Sequence, residues 1–334
     1  MNVLVTGGAG YIGSHMVKAL LRAGHTLTVL DNLSTGHADA VRGSDMVRGD
    51  LLSREDSEAL LRGRTFDAVM HFAACCYVGE SVQNPGKYYR SNVLGTLNLL
   101  EAMHATGVTR LVFSSSCATY GDPVATPLSE SHPQNPVNPY GMTKLVAERA
   151  MADYGAAYGL RTIALRYFNA AGCDPDGELG ERHDPETHLI PLVLAEALRV
   201  KKGGRPADTG LRVNGDDYPT ADGTCVRDYV HVSDLCAAHL LALDRLDAGK
   251  VTGFEAFNLG NQRGHSVKEV IEACRRVTGL DIRYTVGARR PGDPPALVAD
   301  SRRAREALGW APRYEALDDI VRTAWDWTRA QAGA

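Results

Sequence analysis

The hydrophobic positions in the first half of the chain alternate between two patterns. Short runs rich in β-branched and aliphatic residues occur at residues 2–6, 26–30, 67–73, 110–116 and 161–167. Between these runs, amphipathic stretches with helical spacing cover about residues 12–23, 54–62, 85–106 and 140–158. Runs of the first kind are typical of buried parallel strands, and their alternation with helices indicates βαβ units. The pattern predicts an α/β fold with a doubly wound parallel sheet.

The pattern changes near residue 170. The stretch "AGCDPDGELGERHDPE" is dense in glycine, proline and acidic residues, and it leads into the helical stretch "HLIPLVLAEALR". We therefore predict a first domain at residues 1–169 and a second, smaller α/β domain at residues 170–334. The runs "VRDYVHV" and "AFNLG", within residues 226–262, are alternatives that could return to the first sheet.

Composition narrows the class of protein. The 334 residues carry a formal net charge of −4, whereas nucleic-acid binding usually shows as a basic domain or stripe. The seven cysteines have irregular spacing, the N-terminus shows no secretory signal, and no apolar run is long enough for a membrane span. We predict a cytoplasmic protein that binds neither nucleic acid nor membrane.

A glycine-rich turn joins the first predicted strand to the first predicted helix. In "VTGGAGYIG", Gly7, Gly10 and Gly13 have the spacing that lets a backbone turn tightly and approach a pyrophosphate at a helix N-terminus. Asp31 ends the next strand, where a carboxylate accepts hydrogen bonds from ribose hydroxyls. Since no arginine adjoins Asp31 to hold a 2′-phosphate, the sequence predicts a Rossmann domain that binds NAD rather than NADP.

Two further strand ends are predicted to line this cofactor site. Asp50, in "GDLL", is expected near the adenine. The other strand end is "HFAA", which contributes Phe72, Ala73 and Ala74.

Tyr140 and Lys144, in "NPYGMTK", lie four residues apart and so share one helix face. A phenol has a pKa near ~10, so a tyrosine base at neutral pH needs about 4 kcal/mol of help from nearby positive charge. Alone, this spacing also fits an ordinary solvated helix. Ser116, at the predicted carboxyl end of the strand in "FSSSCATYGD", favours a catalytic site, because open α/β sheets bind ligands at that edge.

Over nearly its whole length the chain resembles the UDP-glucose 4-epimerases (UDP-galactose 4-epimerases) of the extended short-chain dehydrogenase/reductase family. The resemblance depends on "GGAGYIGSH", "DNLSTG", "VGESVQNPGKYYRSNVLGTLNLLEAM", "FSSSCATYGD", "NPYGMTK", "LRYFNAAG", "GDDYPTADGTCVRDYVHVSDL", "FNLGN" and "RRPGDPPALVAD". It implies NAD-dependent epimerisation of a UDP-hexose at C4: hydride passes to NAD⁺, the 4-keto sugar rotates, and hydride returns.

The resemblance also implies site residues. Tyr140 would be the acid/base, Lys144 its partner and Ser116 the bridging hydroxyl. The further cofactor contacts would be Tyr11, Ile12, Asn32, Leu51, Asn92, Tyr140, Lys144 and Tyr167. The substrate contacts would be Ser116, Tyr140, Asn169, Leu189, Arg227, Arg290, Asp293 and Leu297. A homodimer formed through the helices at about 85–106 and 140–158 is a further implication.

Three positions depart from the pattern of the family. Cys76 stands where many members have a lysine near the nicotinamide, and His188 alters a contact to the nucleotide. Leu297 stands where members restricted to unacetylated sugars often have tyrosine. Leucine there predicts room for an N-acetyl group.

Other functions remain as alternatives. The chain could epimerise a UDP-N-acetylhexosamine, a UDP-pentose or a UDP-uronate, or it could be a non-catalytic NAD-sensing protein on the same fold. A 4,6-dehydratase is disfavoured because Cys117 and Ala118 occupy the places where it needs acids.

The stretch "ERHDPETH" contains three residues that could bind a metal: His183, Glu186 and His188. Because the surrounding residues are glycine, proline and acids, we interpret it as a solvated loop and predict no metal site.

Overall fold

The computed structural model describes residues 1–290 and 292–333. Pro291, in the stretch "RRPGD", and Ala334 lie outside the described residues. The main sheet has seven parallel strands, in the order 10-6-5-4-1-2-3 by strand number. In chain order these strands are β1 (Asn2–Thr6), β2 (Thr26–Asp31), β3 (Asp45–Arg48), β4 (Ala68–His71), β5 (Arg110–Ser116), β6 (Arg161–Tyr167) and β10 (Phe254–Leu259).

Helices cover both faces of this sheet, which confirms the predicted doubly wound α/β fold. The helices of the chain are α1 (Tyr11–Arg22), α2 (Arg54–Gly63), α3 (Val78–Gln83), α4 (Pro85–Tyr88), α5 (Gly95–Thr106), α6 (Pro139–Tyr158), α7 (Leu189–Lys201), α8 (Val232–Asp247), α9 (Val267–Thr278), α10 (Arg302–Leu308) and α11 (Leu317–Gln331). One apolar core lies between the sheet and α1, α8 and α10, and another lies between the sheet and α2, α5 and α6. Strands buried on both faces explain the continuous apolar runs in the sequence.

Two elements differ from the sequence-based prediction. Strand β3 was not predicted, because it lies at the sheet edge and none of its four residues is fully buried. The helix predicted over about 85–106 is divided into α4, a π-helical segment at Tyr89–Leu94, and α5. Such wide turns often occur at functional sites, and Asn92 lies in this one.

The later part of the chain builds a second, smaller sheet. This sheet has the order 11-9-13 by strand number, with β7 added beside β9, and a separate two-stranded ribbon pairs β8 with β12. These strands are β7 (Asn169–Ala171), β8 (Arg212–Asn214), β9 (Val226–His231), β11 (Gly264–Ser266), β12 (Thr285–Gly287) and β13 (Ala296–Leu297). Helices α7, α9 and α11 pack around their own apolar core.

The chain crosses between the two sheets more than once. It leaves the first sheet after β6, enters the second with β7 and β9, and comes back as β10, which pairs with β6 from Thr162 to Tyr167. The division at residue 170 remains a prediction. In the described part of the chain, no helix is both long enough and apolar enough to cross a membrane.

Candidate active site

The glycine-rich turn packs against the end of β4. Gly7 has a positive φ of 74°, and a Cβ at this position would lie 2.4 Å from the backbone nitrogen of Ala73. A Cβ on Gly13 would lie 2.1 Å from the carbonyl oxygen of Gly7. Only glycine fits these two close approaches. At Gly10 a Cβ would meet only one atom, at 3.4 Å, so the turn leaves open space in front of the helix.

Helix α1 begins in this turn, with Gly10 as its N-cap and with no side chain of the described residues hydrogen-bonded to that cap. The first turn of α1 also carries no acidic residue. The backbone N–H groups and the dipole at this end therefore remain available to an anion. This arrangement fits the pyrophosphate of a dinucleotide. The predicted contacts Tyr11 and Ile12 are the first two residues of α1.

Asp31 is fixed at the carboxyl end of β2. One carboxylate oxygen accepts from the backbone N–H of Ala9 at 2.9 Å, and the other accepts from that of Leu33 at 2.8 Å. Each oxygen retains acceptor capacity for a ribose hydroxyl. Next to it, the Asn32 amide donates to Asp50 at 3.0 Å, which joins two of the predicted cofactor contacts. Leu51 follows immediately and is buried.

Tyr140, Lys144 and Ser116 meet where β5 ends and α6 begins. The Asn138 side chain caps α6, accepting from the Gly141 N–H at 2.9 Å, and this starts the helix one residue before Tyr140. Lys144 is 3% exposed, and its ammonium donates to the Ser114 carbonyl at 2.7 Å. The same ammonium lies 5.9 Å from the centre of the Tyr140 ring.

Burial favours the neutral forms of the Tyr140 phenol and the Lys144 amine. It raises the pKa of Tyr140 well above its ordinary value, although the neighbouring Ser116 hydroxyl acts in the opposite direction. It lowers the pKa of Lys144 to about 8. Positive charge brought into the site would favour the phenolate, because an opposite charge within a few ångström stabilises the ionised form.

A buried ion pair supports this helix and was not predicted from the sequence. Glu148 and Arg166 make a bidentate contact, with 2.6 Å between Oε2 and Nη2. The Ser115 hydroxyl donates to the same carboxylate at 2.5 Å, and Arg166 donates to the Tyr120 oxygen at 2.9 Å. Glu148 is four residues beyond Lys144, so a third polar residue at this helical interval was an available signal.

The other predicted cofactor residues occupy the same edge of the sheet. Asn92 is buried: its amide donates to Cys75 O and Thr143 Oγ1, and its oxygen accepts from Cys75 N. This ties the loop after "HFAA" to α6. The Tyr167 hydroxyl lies 2.6 Å from His239 Nε2, while His239 Nδ1 lies 2.8 Å from the carbonyl of Leu235. Nδ1 therefore carries the proton, and Tyr167 donates to Nε2.

Cys76 opens into the cleft beside Tyr140 and Lys144. Desolvation in the cleft raises the pKa of its thiol to about 11. The thiol at this position is therefore neutral near pH 7.

The predicted substrate residues fall into two groups. Arg227, Asp293 and Leu297 come together: the Arg227 guanidinium forms an ion pair with Asp293, and Leu297 pairs with Arg227 between β13 and β9. Leu297 also packs in a cluster with Cys117, which adjoins Ser116. The residues of the other group make no hydrogen bond to this ion pair among the described residues: Asn169 begins β7, Leu189 begins α7, and Arg290 is exposed.

The interpretation of "ERHDPETH" as a solvated loop holds for only part of the stretch. Asp184, Pro185 and Thr187 are exposed, whereas the side chains of Glu181 and His183 are only 5% and 10% exposed. Glu181, His183, Glu186 and His188 point toward one another. The sequence does not reveal this burial, because distant residues cover the loop: the rings of Tyr11 and Tyr77 pack edge-on against His183.

Comparison with known proteins agrees with this geometry. The NAD dependent epimerase/dehydratase family matches residues 3–260. The UDP-glucose 4-epimerase of Lacticaseibacillus casei is 50% identical over 328 residues, which are 98% of this chain and 96% of that protein.

Two solved structures are also similar to the chain. The UDP-glucose 4-epimerase of Brucella ovis in complex with NAD is 53% identical, with a TM-score of 0.90 over 97% of both chains. The UDP-Glc/GlcNAc 4-epimerase of Campylobacter jejuni is 41% identical, with a TM-score of 0.82 over 98% of this chain and 99% of that one. The resemblance seen in the sequence is confirmed, and the chain belongs to the NAD dependent epimerase/dehydratase family.

Proposed function

We propose that this protein interconverts UDP-glucose and UDP-galactose by NAD-dependent epimerisation at C4 of the hexose. The observation that carries the proposal is the convergence of Tyr140, Lys144 and Ser116 at the carboxyl edge of the parallel sheet. The same edge holds the glycine-rich turn and Asp31, which fit a dinucleotide. Relatives that are about half identical over nearly the whole chain are named UDP-glucose 4-epimerases.

In this mechanism Tyr140 takes the proton from the sugar O4 and later returns it. Bound NAD⁺ supplies the hydride acceptor and, as NADH, the donor for the return. Lys144 adds a positive charge beside the phenol and is held there by the Ser114 carbonyl. Ser116 bridges the phenol and the sugar oxygen. Since the hydride returns to the carbon from which it came, the reaction consumes no net cofactor.

Inversion requires the sugar to present both faces while the nucleotide stays bound. Arg227 and Asp293 are suited to the nucleotide: Arg227 carries a fork of donors for a diphosphate, and Asp293 can accept from ribose hydroxyls. Their ion pair is preformed. We propose that firm contacts to UDP, with few to the hexose, leave the 4-keto sugar free to turn.

We also propose a homodimer, formed by the surface that includes α3, the π-helical segment and α6. Large apolar side chains are exposed there: Val82 at 57%, Tyr89 at 43%, Leu94 at 45% and Tyr158 at 52%. A second copy of the chain would cover them. Sedimentation of the purified protein tests this, and a monomer at micromolar concentration would contradict it.

A second substrate is favoured by Leu297. This side chain packs beside Cys117, Tyr120 and Phe168, next to Ser116, so its size affects the space near the reacting sugar. We propose that UDP-N-acetylhexosamines are also accepted.

The main test is a Tyr140→Phe variant, assayed for conversion of UDP-galactose to UDP-glucose. We expect it to fold and to bind NAD⁺ but to lose turnover by about 100-fold or more, because general acid–base catalysis contributes roughly that much. Tyr284→Phe is the control, because Tyr284 packs against the apolar core of α7, α9 and α11 and belongs neither to the proposed catalytic residues nor to the proposed dimer surface. If Tyr140→Phe converts the substrate as fast as the control does, Tyr140 is not the acid/base.

A further inference from the structure

Two histidines and two glutamates converge in the loop between β7 and α7. One ligand atom from each of Glu181, His183, Glu186 and His188 lies within 4.8 Å of the other three. Two imidazoles and two carboxylates form a donor set suited to a divalent transition metal, and imidazole in particular suits zinc. The site lies outside the proposed catalytic residues and plays no part in the chemistry proposed above.

A buried nitrogen without a partner points into this cluster. The His183 side chain is 10% exposed, and its Nδ1 is buried without a hydrogen bond to any described residue. It lies 3.1 Å from Glu181 Oε1 and 3.6 Å from Glu186 Oε2. Because this nitrogen faces two carboxylates without a well-aligned hydrogen bond, either a proton or a cation between these atoms would satisfy it.

The four ligand atoms lie close enough together to share one tetrahedral ion, but Glu181 and His188 are in direct hydrogen-bonding contact and would have to move apart to bind it. Zinc bonds of about 2.0–2.2 Å hold four tetrahedral ligands roughly 3.3–3.6 Å apart. In the cluster, His183 lies 3.1 Å and 3.6 Å from the two carboxylates, and His188 Nδ1 lies 3.8 Å from Glu186. A divalent ion would also neutralise two carboxylates in a half-buried site. We propose that Glu181, His183, Glu186 and His188 bind one Zn²⁺.

Four protein ligands leave no open position, as is typical of structural zinc sites. All four ligands lie between residues 181 and 188, so the ion would brace one loop, and this loop packs against residues that are distant in sequence. The rings of Tyr11 and Tyr77 pack edge-on against His183, with centroids 6.3 and 5.7 Å away. Tyr11 begins α1 at the cofactor turn, while His188 is the N-cap of α7. The ion would therefore hold the start of α7 against the cofactor side of the cleft.

A proton on His183 is the alternative to a bound metal ion. Burial alone would lower the pKa of His183, but the carboxylates of Glu181 and Glu186 outweigh it and raise this pKa to about 9. An imidazolium would balance the charge without a metal, and direct metal measurement separates the two.

The experiment uses the full chain, prepared without an affinity tag. Metal content is measured by mass spectrometry after gel filtration, and the chelated protein is then titrated with Co²⁺. We expect one zinc per chain, and one equivalent of Co²⁺ with the intense visible absorption of a four-coordinate site. His183→Gln should weaken Co²⁺ binding by at least about 10–100-fold, the loss that even second-shell changes cause.

His265→Gln is the matched control, because His265 also lies near a glutamate, 3.9 Å from Glu269, but outside the cluster. It should bind Co²⁺ like the unaltered protein. If the unaltered protein binds no stoichiometric metal and shows no such absorption, the proposal fails, even if His183→Gln does not fold. None of these measurements depends on turnover, so they can fail independently of the proposed epimerase activity.

Discussion

At the scale of single residues, burial disfavours the charged forms of the two central groups of the site. The phenol of Tyr140 is held protonated by burial, and the ammonium of Lys144 has its pKa lowered to about 8. The neutral thiol of Cys76 adds no positive charge. The oxidised nicotinamide is therefore the charge that would complete the activation of the phenol. We expect proton removal by Tyr140 to depend on the oxidised cofactor.

The size of the side chain at position 297 should determine which UDP-sugars the enzyme accepts. In Leu297→Tyr, the larger ring would fill space beside Cys117 and Tyr120. We expect the ratio of kcat/KM for UDP-N-acetylglucosamine over UDP-glucose to fall by about 10-fold or more, a typical effect of small changes in a pocket. Steady-state kinetics on both sugars measure it.

Leu297→Met is the control for this comparison, because it conserves volume. If the ratio of the two kcat/KM values is unchanged in Leu297→Tyr, the side chain at this position does not determine which sugar is accepted. Absence of acetylated turnover in the unaltered enzyme would reject the second substrate.

The candidate site residues could be proposed individually because their signals are local. The spacing of Tyr140 and Lys144 and the position of Asp31 after a strand are visible without tertiary contacts. The burial of the His183 side chain could not be predicted, because it depends on tyrosines far away in sequence. The ion pair of Arg166 was missed because its partner lies on another element.

At the scale of elements, helix α6 depends on that ion pair. Glu148 on α6 and Arg166 on β6 are 3% and 5% exposed, and the pair joins the catalytic helix to the sheet. Removing one partner of such a pair leaves an uncompensated buried charge.

We expect Arg166→Met to lower the free energy of unfolding by about 3–5 kcal/mol, because Glu148 would lose its cationic partner. Urea unfolding followed by circular dichroism measures the change. The double variant Arg166→Met/Glu148→Leu should recover part of it. Arg54→Met, which removes the exposed pair with Glu58, should leave the stability almost unchanged, because solvent screens that pair. A loss no larger for Arg166→Met than for Arg54→Met would contradict the role of the buried pair.

The central strands and their sequence along the chain were predictable, because strands buried on both faces appear as continuous apolar runs. Edge strand β3 lacks that signal. The return of β10 to the first sheet could only be offered as one alternative, since "AFNLG" fits either sheet as a sequence.

At the scale of the whole molecule, buried imidazoles should make stability depend on pH. Burial lowers the pKa of His71 to about 3 and that of His239 to about 4. In the unfolded chain a histidine binds its proton near pH ~6.5. Between these values the unfolded state holds more protons, so stability falls as pH falls, by about 1.4 kcal/mol per pH unit for each group.

Urea unfolding at pH 5 and pH 7 tests this dependence. His239→Gln should show a shallower loss, because an amide can replace both hydrogen bonds of the imidazole without titrating. If His239→Gln loses as much stability between pH 7 and pH 5 as the unaltered protein, His239 is protonated in the folded protein or contributes nothing to the pH dependence.

The return of the chain as β10 also bears on how the protein is made. During synthesis, β6 emerges about 90 residues before β10, the strand that will cover its free edge. At about 5–20 residues per second, that edge would stay open for roughly 4–18 s. An open, apolar strand edge pairs readily with other chains. Slow translation through the second sheet should therefore raise the yield of aggregated polypeptide. A chaperone that binds the open edge of β6 early should lower that yield.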